Sequence, residues 1–410
     1  MKHAFFFVLF IALFCGSKGQ IDHQLVIGKT DSIHSGILNE ERKIWVYVPG
    51  GASDEGVGKQ RYPVVYLFDG EAHFVSVVGM IQQLSEVNNN MVCPKMIIVG
   101  IPNIDRTKDL TPTHADAGPP YFYGSSKTSG GGEKFISFIE SELMPYIDGH
   151  YPTAPYKMLI GHSFGGLMVM QTLVHHTHLF NAYVSIDPSM WWDNQHLLKE
   201  AKNAIAEKKY QGTWLYLGIA NTMDDGMNIR QVLKDTSSIT RHIRSILALK
   251  RDLEINRQNG LKSMVKYYDH DSHASVPLIT EYDAIRFIFD YYPLKINFKD
   301  LSDTSTALVD KCEKHFANVS KQMGYMVTSP EQLMNHQGYE ALESKKFNKA
   351  GRFFKYNIDN YPESYNAYDS MGDYFEAIGD KLKAIGSFQK ALSIKEDAGT
   401  RKKLEKLQGE

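Results

Sequence analysis

From Tyr62 onward the chain alternates short, wholly apolar runs with longer stretches in which apolar residues recur every three or four positions. That is the pattern of buried strands alternating with amphipathic helices. The runs at 62–70, 96–101, 156–160, 182–186, 214–219 and 264–268 read as strands. Helices are expected at 74–87, 132–147, after 166, before each later strand and at 275–290. Ahead of these, 32–38 and 43–48 read as two strands joined by the polar turn Asn39-Glu40-Glu41-Arg42, an antiparallel hairpin at the sheet edge. Strand and helix in regular alternation imply an α/β fold with a mostly parallel sheet and helices on both faces.

One strand breaks at Gly161-His162-Ser163-Phe164-Gly165-Gly166 and continues into the apolar helical pattern Leu167-Met168-Val169-Met170. A Gly-x-Ser-x-Gly sequence is a weak signal alone in a chain with 32 glycines, but a strand before it and a helix after it are the setting of a nucleophile elbow. Small residues are needed on both sides of such a serine, because a Cβ there would strike the neighbouring element. The backbone N–H of Phe164, at the helix start, then points to where an oxyanion would form.

A serine nucleophile needs a base, and the base an orienting acid. On sheets of this kind the order along the chain is serine, acid, histidine, with the histidine after the last strand. The stretch 267–277 offers His270 and His273, and His273 is the better placed, since Ala274-Ser275-Val276 behind it start the last helix. For the acid, the strand 214–219 runs into Ala220-Asn221-Thr222-Met223-Asp224-Asp225-Gly226. Either Asp224 or Asp225 could face His273, with Asp224 preferred, and Asp187 at the end of the previous strand is the runner-up. Arg106 could bind a substrate carboxylate or catecholate bidentately, or pair with a nearby acid such as Asp109. Trp191 and Trp192 follow a strand end and could wall a pocket. The cluster His175-His176-Thr177-His178 has metal-like spacing but closes a helix, where cationic side chains suit the dipole, and no metal site is expected.

Past Pro293 the pattern changes. Residues 294–330 are polar and weakly periodic and read as a linker with at most one helix. From Glu331 the chain repeats at a period of 34, with Gly338 and Gly372, Ala350 and Ala384, and Phe354 and Phe388 in equal places. The spacing resembles the tetratricopeptide repeat, in two copies over 331–398, followed by a C-terminal helix at 399–410. Such repeats suggest a protein partner. At the other end, Met1-Lys2-His3, the apolar run 4–14, and small Ser17 and Gly19 suggest a cleaved signal peptide of residues 1–19, hence a secreted or periplasmic chain whose first domain covers 20–293. Cys15 would suit a lipoprotein leader, but Phe14 before it is too bulky. The apolar run is too short to span a bilayer comfortably.

Composition narrows the classes further. A net charge of −2 and the lack of any Lys/Arg run interleaved with aromatics argue against nucleic acid and anionic membranes. With 43% hydrophobic residues over 410 positions a large core is available. Cys93 and Cys312 beyond the leader give no disulfide framework.

Six motifs occur in order: Phe68-Asp69-Gly70-Glu71-Ala72-His73-Phe74; Gly100-Ile101-Pro102-Asn103 with Arg106; Asp109-Leu110-Thr111-Pro112; Gly161 to Gly166; Asp187-Pro188-Ser189-Met190-Trp191-Trp192; and His273-Ala274-Ser275-Val276. Together they resemble the esterase family of α/β hydrolases that includes esterase D, feruloyl esterase and enterobactin (siderophore) esterase relatives, over roughly residues 30–292. The resemblance implies an α/β-hydrolase fold, Ser163 as nucleophile, His273 as base, and an oxyanion hole shared by Phe164 and the backbone at Gly70 and Glu71. It leaves the acid open. It implies cofactor-free cleavage of a carboxylic ester through an acyl-enzyme, the substrate being a small molecule or glycan: an acylated sugar, a feruloyl ester or a siderophore lactone. An acyltransferase on the same triad, or a non-catalytic protein acting through its repeats, are the alternatives.

Overall fold

A computed structural model of the chain describes residues 25–50, 60–116 and 126–409; the expected leader lies outside them. One eight-stranded sheet runs through the first two thirds of the molecule, with strand order β1-β2-β4-β3-β5-β6-β7-β8. The strands are β1 (Lys29–Ser35), β2 (Glu40–Tyr47), β3 (Tyr62–Phe68), β4 (Ile97–Ile101), β5 (Thr153–His162), β6 (Ala182–Ile186), β7 (Trp214–Ala220) and β8 (Lys262–Tyr268). β1 and β2 pair antiparallel, β2 pairs antiparallel with β4, and β4 to β8 are parallel. Glu40 and Glu41, expected in the hairpin turn, lie in β2, and the turn falls at 36–39 instead.

β3 is buried along its whole length and its residues alternate between two cores. Val64, Tyr66 and Phe68 face one, and Val65 and Leu67 the other. Period-two alternation with both faces covered is why this strand reads as an uninterrupted apolar run. The first core is completed by helices Phe164–His175, Trp192–Glu207 and Arg241–Ile255; the second by helices Gly70–Ser85 and Val276–Ile288. All the parallel strands therefore end on one rim, where β3, β5, β6 and β8 hand their chains to loops and helix starts.

The segment expected as a linker is instead built into the body. Residues 298–302 form one helical turn, and Ala307–Met323 is a 17-residue helix. Val319 and Met323 on that helix enter the second sheet core, while Leu308, Val309, Cys312 and Phe316 pack with Met334 and Phe353 of the tail. Its apolar positions keep helical spacing, so one helix is shared by two cores. Beyond it come two helical hairpins, Glu331–Glu343 with Phe347–Asn360 and Tyr365–Ala377 with Lys381–Ile394, then the helix Ala398–Gly409. Gly338 lies against the Phe354 ring, and Gly372 against Phe388. The 34-residue period is thus a repeated helix crossing, with the small residue admitting the aromatic one. No helix among the described residues is long and apolar enough to cross a membrane.

Candidate active site

At the end of β5 the chain turns so sharply into helix Phe164–His175 that Ser163 takes φ 60°, ψ −112°. A non-glycine residue held there is strained, and the surroundings must impose it. Ser163 N–H donates to the Ile186 carbonyl at 2.9 Å, and the Ser163 carbonyl accepts from Leu167 at 2.9 Å and Ser189 at 3.0 Å. Gly161 has no alternative, because a Cβ on it would sit 2.5 Å from the Gly165 backbone.

The serine hydroxyl meets a histidine. His273 Nε2 lies 3.1 Å from Ser163 Oγ, and His273 Nδ1 lies 2.6 Å from Asp187 Oδ2. Because Nδ1–H donates to a carboxylate, Nε2 keeps its lone pair toward the hydroxyl. Asp187 is wholly buried at the end of β6, with φ 40°. Its Oδ1 accepts the Ala220 N–H at 3.0 Å, and its Oδ2 accepts a second histidine, His242 Nε2, at 2.8 Å. Burial by itself would raise the Asp187 carboxyl, but the two imidazoles outweigh it and hold the group ionised far below the ordinary carboxylate range.

Asp224 and Asp225, the acids expected from the sequence, stand in an exposed turn, and no hydrogen bond or ion pair joins either to His273. The reason lies in the end of β7. Asn221 bends away there, its N–H to the Asp271 carbonyl at 2.8 Å and its side chain to the Asp269 carbonyl at 2.9 Å, and the acidic turn leaves the rim with it. His270 is almost fully exposed and lies 3.7 Å from its neighbour Asp269.

The β3 end supplies the facing wall. Asp69 is left-handed, φ 52°, and turns the chain into helix Gly70–Ser85. Gly70 passes so close to β4 that a Cβ would stand 2.7 Å from the Ile101 nitrogen. Glu71 accepts Asn103 N–H at 3.2 Å and its side-chain amide at 2.7 Å. Arg106 does not pair with Asp109, which is buried against Arg42 at 2.7 Å; it forks onto Asp69 and also donates to the His162 carbonyl at 3.2 Å.

Trp191 and Trp192 are buried rather than walling an open cleft. Both rings pack on Phe164, at 6.0 and 5.1 Å between centroids, and Trp192 Nε1 donates to the Thr113 carbonyl. They clamp the start of the serine helix to the loop after β4. Beneath His273 lies the His162 ring, 4.5 Å away. Burial, then the neighbouring His273 and His73, lower the His162 imidazole to about 3, so it is a neutral platform.

Asp187, His242 and His273 bring three donor atoms within 4.8 Å. Separations of 2.6 and 2.8 Å are hydrogen-bond lengths; ligands around a zinc ion stand about 3.3 Å apart. His175, His176 and His178 do not converge, each meeting a different glutamate: Glu200, Glu133 and Glu140.

Residues 35–256 match the family model Esterase, described as "Putative esterase". The chain belongs to this family. Among curated relatives of this esterase-family chain, the siderophore triacetylfusarinine C esterase of Aspergillus fumigatus is 28% identical over 165 residues, 38% of this chain and 54% of that protein. The chain thus spans about half the length of the curated relatives it matches. Among solved structures, an IroE-like serine hydrolase from Shewanella oneidensis is 29% identical with a TM-score of 0.67, covering 81% of this chain and 99% of that one. An uncharacterised protein from Capnocytophaga ochracea, 20% identical, shares the fold over 93% of this chain and all of its own length, with a TM-score of 0.61.

Proposed function

We propose that this protein hydrolyses carboxylic esters through an acyl-enzyme, with Ser163 as nucleophile, His273 as general base and Asp187 as the acid that orients it. The observation that carries this is the relay from Ser163 Oγ to His273 Nε2 at 3.1 Å and from His273 Nδ1 to Asp187 Oδ2 at 2.6 Å, anchored on a strained serine. In this reading His273 Nε2 takes the hydroxyl proton as Oγ attacks the ester carbonyl carbon. The carbonyl oxygen, now an anion, is held by the N–H of Phe164 and those at Gly70 and Glu71. Collapse expels the alcohol, which takes the proton back from Nε2, and water repeats the sequence to free the acid.

Membership in the esterase family and the named esterase among the relatives support this chemistry. For substrate we propose a siderophore lactone, on the strength of that relative's name. The test is release of product by the purified chain from a ferric siderophore lactone, an acetylated sugar and a feruloyl ester, each beside the Ser163→Ala variant. Turnover of the lactone at least tenfold above the other two is expected; preference for either of those reassigns the substrate, and serine-independent turnover removes the mechanism. The proposal extends to export after loss of residues 1–19, checked by the N-terminal sequence of the protein recovered outside the cytoplasm. It extends also to a tetratricopeptide-type tail that binds a protein.

A further inference from the structure

We infer that His242 is a positioning residue for His273, acting through the oxygen of Asp187 that the two histidines share; the inference rests on the triad reading above. Asp187 Oδ2 accepts both imidazoles, at 2.6 Å from His273 and 2.8 Å from His242, while Oδ1 is taken by the Ala220 N–H at 3.0 Å. A carboxylate can pivot about its Cβ–Cγ bond. With only the Ala220 bond to hold it, Asp187 would keep Oδ2 toward His273 loosely; the second imidazole pins it from the far side. His242 is itself fixed, since it lies buried in the first turn of helix Arg241–Ile255 with its ring edge-on to His273 at 5.1 Å. Its ring bonds Asp187, and no hydrogen bond joins it to Ser163, so its action is on the acid.

The second donor also draws off part of the charge on Asp187. His273 then sees a weaker anion than in a relay with a single histidine. The surroundings leave His242 as the group that can set this. His162, from the end of β5, is lowered to about 3 and stays neutral. Behind it, His73 is pushed down, foremost by burial, and Asp69 is committed to Arg106. On the helix of His242, Arg244 is turned to Thr240 and Ser237, and Arg241 is exposed. Asp271, on the loop of His273, bonds Ser275, and Asp224 and Asp225 of the loop after β7 are exposed.

The test compares His242→Leu, His242→Gln, Ser163→Ala and Asp187→Asn with the unaltered chain on p-nitrophenyl acetate, recording kcat and KM from pH 5 to 9. Folding is checked by circular dichroism. In His242→Leu, kcat should fall about tenfold with KM within about twofold, and the acidic limb of kcat/KM should move up by about half a pH unit. His242→Gln, whose amide nitrogen stands near the place of Nε2, should restore both. If the leucine variant does not fold, His242→Asn, with an amide too short to reach Oδ2, is read in its place. The inference falls if His242→Leu keeps the rate and the limb while Ser163→Ala and Asp187→Asn are inactive. It falls also if glutamine behaves as leucine does. Activity left in Ser163→Ala would remove the triad reading itself, a separate result.

Discussion

Arg106 lies fork to fork on Asp69, Nε to Oδ1 at 2.6 Å and Nη2 to Oδ2 at 2.9 Å. Asp69 is buried and Arg106 is about one third exposed, so the arginine closes the pair over from outside. The same guanidinium holds the His162 carbonyl, one residue before Ser163. The turn that carries Gly70 and Glu71 is thereby tied to the serine elbow.

Arg106→Ala should therefore act through structure before binding. It leaves the buried Asp69 carboxylate without its cation, with the Asn103 amide still donating to Oδ1 at 2.7 Å, a loss of about 3 kcal/mol, and frees the β3 turn. Urea unfolding should show the loss, and kcat should drop more than KM rises. Arg106→Lys, which keeps charge but not the fork, should fall between. A variant with full stability and only a raised KM would make Arg106 a substrate group.

Asp187→Asn should lower kcat by about 10⁴, because an amide at that place favours the wrong tautomer of His273. Asp224→Asn and Asp225→Asn should stay within about twofold of the parent. Steady-state rates of the three variants at one pH decide it.

Glu281, buried in helix Val276–Ile288 with no hydrogen-bond partner among the described residues, is pushed up to about 8 by burial. His73, 3.6 Å away, is pushed down by its own burial, so both are neutral near pH 7. An acid raised in the folded state keeps a proton that the unfolded chain has already released, and stability falls as pH rises from about 4.3 toward 8. The slope is about 1.4 kcal/mol per pH unit at most. Glu281→Gln should flatten this dependence, matching the parent at pH 4.5 and exceeding it at pH 8 in urea midpoints.

A chain cut after Phe298 loses Val319 and Met323 from the second sheet core, and with them the Tyr291–Met323 and His315–Tyr292 bonds. Two buried side chains of this size are worth about 4 kcal/mol, which for a domain this large lowers Tm by about 10 °C. A chain cut after Ser329 keeps that helix, and should retain the parent's Tm within a few degrees and its rate on p-nitrophenyl acetate within about threefold. Equal melting of the two shortened chains would show the shared helix to be idle.

The strands, their order along the chain and the Ser163 turn could be read in the sequence because each rests on local spacing. His273 could be placed because one loop follows the last strand. The acid was legible only as a choice, since β6 is followed by Asp187 and β7 by Asp224 and Asp225, and which of them meets His273 is a matter of where Asn221 bends. The available sign was the position of Asp187 itself, directly at the end of the apolar strand 182–186. His242 has no sequence signal at all: an isolated histidine in a helix is the commonest of contexts. Trp191 and Trp192 follow a strand end, and only the packing of Phe164 reveals that they are enclosed. The helix Ala307–Met323 was legible in principle, since Leu308, Val309, Cys312, Phe316, Val319 and Met323 keep three- and four-residue steps among polar neighbours.

Ser163 and His273 touch across 110 residues of chain. Contacts so remote in sequence are late events in folding, because the cost of closing the loop precedes any gain from the contact. A ribosome extending this chain has already made the serine, its turn and its helix when β6, β7 and β8 are still to come. Until β8 is in register, the hydroxyl has no base. In the mechanism proposed above, the serine therefore becomes reactive only on completion of the sheet, and a half-made copy carries an ordinary serine.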